Sequence, residues 1–113
     1  MCNKSTLNQI INRVVQEVKE NFGNNLDKII LYGSYARGDN DKDSDIDIMA
    51  LVDVSQEDAN RLDMQLTSFT SRLGLEFDVV VSLFVKDCNT FYKYLHIEPF
   101  YQNVMKDGVV LSA

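Results

Sequence analysis

The sequence predicts an α+β domain: a small mixed β-sheet with helices packed mainly on one face. Two long stretches carry apolar residues at helical spacing. Several short runs are instead apolar and β-branched. These segments follow one another as helix, strand, strand, helix, strand, helix, strand, an order that suits a mixed sheet covered by helices. At 113 residues the chain reads as one domain, 1–113, with no repeat and no linker.

The first helix is expected to start at Thr6 as N-cap, with Gln9 three positions on completing a capping box. Leu7, Ile10, Ile11, Val14, Val15, Val18 and Phe22 form its apolar stripe, and Gly23 ends it. Ile29 to Tyr32 is a short strand that stops at Gly33-Ser34, where a short helical turn can open. Asp45 to Val52 is the second strand. Alternation places Asp45, Asp47, Met49 and Leu51 on one face and Ile46, Ile48, Ala50 and Val52 on the other. Ser55 caps a second helix, Ala59, Leu62, Leu66, Phe69 and Leu73 line it, and Gly74 is expected to end it. Phe77 to Phe84 reads as a third strand, with Asp78 an anomalous acid near its start. Asp87 to Leu95 is a short helix or irregular. Pro99 suits the first turn of a last helix, Gly108 its end, and Val109 to Leu111 a final strand.

Composition excludes several functions. Seventeen acids against eleven bases leave a net charge of −6, opposite to the basic face that a general nucleic-acid binder uses on phosphates. No apolar run approaches the ~18–20 residues of a membrane helix. The N-terminal segment lacks a secretory pattern, so a cytoplasmic location is expected. Cys2 and Cys88 are the only cysteines and are expected to be free thiols; His96 is the only histidine. No zinc spacing is present, and nothing around His96 resembles a nucleophilic pair.

The chemistry lies in the carboxylates. Asp45 and Asp47 project from one strand face with Cα atoms roughly 6.6 Å apart, twice the strand rise. Like charges so placed repel, and a divalent cation between them removes the penalty. Hard oxygen donors suit Mg²⁺ or Mn²⁺. Asp78 could add a third carboxylate if its strand lies beside the pair, and three aspartates can hold two metal ions. Gly33 and Ser34 directly follow a strand, where backbone N–H groups and a hydroxyl can approach a phosphate. Arg37 either meets the same phosphates or pairs with the acidic loop. Asp39, Asp41 and Asp43 read as that loop's solvated surface. Phe91, Tyr92, Tyr94, Phe100 and Tyr101 either cap the open side of the sheet or form a partner surface.

Gly33-Ser34, ten intervening residues and then Asp45-Ile46-Asp47 resemble the signature of the DNA polymerase β-like nucleotidyltransferase superfamily. The fuller strings, Gly33-Ser34-Tyr35-Ala36-Arg37-Gly38-Asp39 and Ser44-Asp45-Ile46-Asp47, resemble its minimal nucleotidyltransferase (MNT) subgroup. Phe77-Asp78-Val79 resembles the third acid of that family, and the stretch from Pro99 to Leu111 resembles the ends of these small proteins. The resemblance implies a polymerase β-like palm. Gly33 and Ser34 would hold the β/γ-phosphates of ATP. Asp45 and Asp47 would bind two Mg²⁺ ions, with Mn²⁺ as a substitute. Asp78 would bind the catalytic ion and help activate the attacking hydroxyl.

Relatives of greater length append a helical domain, for which this sequence has no room, so the acceptor surface is expected from a second protein. The resemblance implies a HEPN-domain ribonuclease toxin as that partner. The MNT member would act as its antitoxin by transferring AMP to a tyrosine of the toxin. Two alternatives stay open: transfer to a small molecule such as an aminoglycoside, and inhibition of a partner by binding alone.

Overall fold

The computed structural model describes residues 3–112. Helix α1 spans Lys4–Phe22, and a 3₁₀ turn over Gly23–Asn25 leads into strand β1, Leu26–Tyr32. A single helical turn, α2 (Ser34–Arg37), follows. Strand β2 (Ile46–Val52), helix α3 (Gln56–Phe77) and strand β3 (Val81–Asp87) form a parallel crossover unit. Helices α4 (Cys88–Tyr94) and α5 (Pro99–Asp107) then lead to strand β4, Val109–Ser112. The sheet order is β3-β2-β1-β4, with β1 antiparallel to both β2 and β4.

The alternation along β2 sorts the interior into two cores. Ile46, Ile48, Ala50 and Val52 pack with Ile10, Val14 and Val18 of α1 and with Leu66 and Leu73 of α3. Met49 and Leu51 face the other way, against Ile30, Cys88, Phe91 and Val104. The two long helices cover one face, as expected, and the short α4 and α5 cover part of the other. The aromatic segment divides accordingly: Phe91 is fully buried and stacks at 4.6 Å on Tyr101, whereas Phe100 stays half exposed.

Several boundaries depart from expectation; β1, for one, begins at Leu26 rather than Ile29. Helix α1 begins three residues early, because Asn3 rather than Thr6 is the N-cap; its side-chain oxygen accepts the Thr6 N–H at 2.8 Å. Asn caps at least as well as Thr, and the added first turn, Lys4 to Thr6, is polar and lies ahead of the apolar stripe. Helix α3 is capped by Ser55 but does not stop at Gly74. It continues to Phe77 and ends at Asp78, a left-handed residue with φ 53° and ψ 50°. Gly74 serves a close approach instead: the chain folds back after Asp78, and a Cβ at position 74 would lie 2.5 Å from the Val79 carbonyl oxygen. Strand β3 consequently begins at Val81, four residues later than the apolar run suggested. Cys88 is a buried free thiol, pushed up in pKa by burial and then by Asp27, Asp53 and Asp87; Cys2 lies outside the described residues. His96 is exposed.

Candidate active site

The site is built where β1 ends beside the start of β2. Tyr32 is the last residue of β1 and pairs across the ladder with Asp47. Gly33 then turns the chain with φ 75° and ψ −157°, a conformation essentially restricted to glycine. A Cβ here would also overlap the Asp47 carboxylate. The glycine thus lets the start of α2 close over Asp47. Gly33 accepts from the N–H groups of Ala36 and Arg37, each at 3.1 Å, which fixes the turn.

Asp45 immediately precedes β2 and is exposed, while Asp47 is half-buried. Burial raises the Asp47 pKa, repulsion from Asp45 raises it further, and Arg37 partly offsets both. A cation between the two carboxylates would relieve that cost. Burial, and then Asp47, push the Tyr32 phenol up to about 12, so it remains protonated beside the carboxylate.

Gly33, Ser34, Arg37 and Asp47 line one cavity of about 390 Å³, together with Phe100, Asn103 and Asp107 of α5. The α5 residues were not singled out as site residues from the sequence. Their spacing carried a signal, because Phe100, Asn103, Val104 and Asp107 fall at i, i+3, i+4 and i+7 on one helix face. Arg37 both borders the cavity and donates from Nε to Asp39 at 3.1 Å. The remaining loop acids are tied into a turn, where Asp41 accepts from the Asp43 N–H and the Ser44 hydroxyl.

Asp78 is not a strand residue. It caps α3, exposed, and lines a different cavity with Asp45. The β3 residue in register with Asp47 is Ser82. Among the described residues, no group of three or more His, Cys, Asp or Glu side chains is arranged to hold a metal ion. Asp45 and Asp47 are hard oxygen donors that would suit a divalent cation such as Mg²⁺.

A family model described as a nucleotidyltransferase domain matches residues 11–111, almost the whole chain. The chain belongs to the nucleotidyltransferase domain family. This nucleotidyltransferase domain is 34% identical over 101 residues to a candidate protein adenylyltransferase of Methanocaldococcus jannaschii, covering 89% of this chain and 93% of the relative. Its fold is similar to a candidate nucleotidyltransferase of Sulfolobus solfataricus, with a TM-score of 0.52 and 26% identity over 90% of this chain and 76% of the other. It is also similar to a toxin–antitoxin crystallised with AMP-PNP, with a TM-score of 0.55 and 24% identity over 89% and 71% of the two chains. The fold is that of polymerase β-like nucleotidyltransferases.

Proposed function

We propose that this nucleotidyltransferase transfers AMP from ATP to a tyrosine hydroxyl of a protein partner, a HEPN-domain ribonuclease toxin, and so acts as its antitoxin. The observation that carries the reading is the single cavity in which Gly33, Ser34 and Arg37 meet Asp47. In this reading a phosphate chain would lie between that polar turn and the guanidinium, with the α-phosphate towards the carboxylates. The acceptor oxygen forms a bond to the α-phosphorus, the bond to the β-phosphate oxygen breaks, and pyrophosphate leaves. The hydroxyl proton passes to solvent or to a neighbouring base. Asp45 and Asp47 would hold Mg²⁺, which when bound neutralises charge developing on the phosphates. A protein acceptor is supported by the Methanocaldococcus relative, a candidate protein adenylyltransferase. The HEPN assignment is supported by the MNT-like strings around Gly33 and Asp45.

Intact mass spectrometry of the toxin after incubation with this chain and MgATP tests the reading. A gain of one or more AMP units located on tyrosine is expected, and Asp45→Asn/Asp47→Asn should abolish it. A toxin neutralised without any mass change, or equally well by the double variant, would assign inhibition to binding alone.

A further inference from the structure

A second, larger cavity of about 670 Å³ opens on the other side of β2. The nucleotide cavity is bounded by the end of β1 and by α5; the second is bounded by the start of β3 and the end of α3. Since β2 lies between β1 and β3, the two cavities flank the Asp45-Ile46-Asp47 entrance, Asp47 bordering one and Asp45 the other. In transfer at phosphorus, the attacking and leaving oxygens lie roughly in line on opposite sides of the reacting atom. With pyrophosphate leaving on the Gly33–Ser34–Arg37 side, the acceptor enters from the β3 side.

We infer that this second cavity is the acceptor site, and that it takes a segment of a partner protein whose acceptor hydroxyl is flanked by basic residues. This rests on the nucleotidyl-transfer reading above. Two features specify the occupant. Asp43, Asp45 and Asp78 oppose a single Lys42 in the lining, and the chain carries a net charge of −6, so a basic segment is attracted and a second copy of this chain is repelled. Part of the rim is apolar and exposed. Leu75 is 84% exposed and Val80 60%. A small polar molecule leaves Leu75 and Val80 exposed to water, whereas a docked protein segment can cover both while its basic residues meet the acids.

The test uses two short synthetic peptides, each with one tyrosine, flanked by lysines in one and by glutamates in the other. Peptide binding is read by fluorescence anisotropy, and AMP-PNP binding is measured separately by calorimetry. The lysine peptide should bind at least about tenfold more tightly, with affinity falling as salt rises. Leu75→Lys should weaken it at least about tenfold while AMP-PNP binds unchanged, and Leu75→Ser should isolate the apolar share of that loss. Equal binding of the two peptides, or indifference to Leu75→Lys, would overturn the inference. So would a self-association of the chain that Leu75→Lys abolishes, which would assign the surface to a second copy. AMP-PNP binding without peptide preference would refute this inference alone. Peptide preference without AMP-PNP binding would leave the docking surface standing and refute the transfer reading.

Discussion

Replacing Gly33 by alanine perturbs the site at its narrowest point. The backbone conformation at Gly33, φ 75° and ψ −157°, costs about 1–3 kcal/mol for a residue with a side chain. The added methyl also overlaps the Asp47 carboxylate, which must leave its rotamer at a further ~0.5–1.5 kcal/mol. Gly33→Ala should therefore destabilise the fold by about 2–4 kcal/mol, read in urea unfolding monitored by circular dichroism with EDTA present. Gly38→Ala is the internal control. Gly38 also has positive φ, 80°, but nothing lies within 4 Å of its Cβ position, so it should lose only about 1–2 kcal/mol. The excess at Gly33 should shrink when Asp47 is also alanine, giving a coupling of at least about 0.5 kcal/mol. Equal losses at the two glycines, with no coupling to Asp47, would refute the close packing of the turn on the carboxylate.

Three further predictions concern charge. The folded-state pKa of Asp47 lies above its unfolded value, so its ionisation costs stability once pH rises past the unfolded pKa. Asp47→Asn should accordingly melt higher than the unmodified chain at pH 7 without divalent ions, and scanning calorimetry with saturating Mg²⁺ and AMP-PNP should reverse the order. Tyr32 holds its proton to about 12 whereas an unfolded phenol ionises near ~10, so stability should fall across that interval as the unfolded chain ionises first. Tyr32→Phe should reduce that slope in urea titrations, leaving the part owed to Tyr92, whose phenol is raised by burial and by its bond to Asp27. Mn²⁺ binding followed by electron paramagnetic resonance should be lost in Asp45→Asn and Asp47→Asn and retained in Asp78→Asn. It should tighten in Ser82→Asp, which sets a third carboxylate in register with Asp47.

The parts of the molecule with strict periodicity were legible in the sequence. The stripe of α1 and the alternation along β2 fix which side chains are buried, and a one-residue slip in β2 would send Asp47 into the larger core. Gly33-Ser34 and Asp45-Ile46-Asp47 could be read because each sits at the end or entrance of such an element. The run from Phe77 to Phe84 gave no such constraint. A continuous apolar stretch has no alternation from which to read where pairing starts. Gly74 signalled a helix end, although a glycine within a helix costs only ~1 kcal/mol and here it admits the returning Val79 carbonyl. Those two ambiguities moved Asp78 from the sheet to a helix cap and left Ser82 beside Asp47. The spacing in α5 puts Phe100, Asn103, Val104 and Asp107 on one face, but whether that face meets the cavity beside Asp47 depends on how the helix docks, which local spacing does not encode.

The central claim is nucleotidyl transfer, and one labelling experiment addresses it directly. The chain and the proposed HEPN toxin are incubated with MgATP labelled at the α-phosphate in one sample and at the γ-phosphate in another. The account predicts label on the toxin from the α-position alone, absent with Asp45→Asn/Asp47→Asn. Label arriving from the γ-position, or surviving in the double variant, would contradict it.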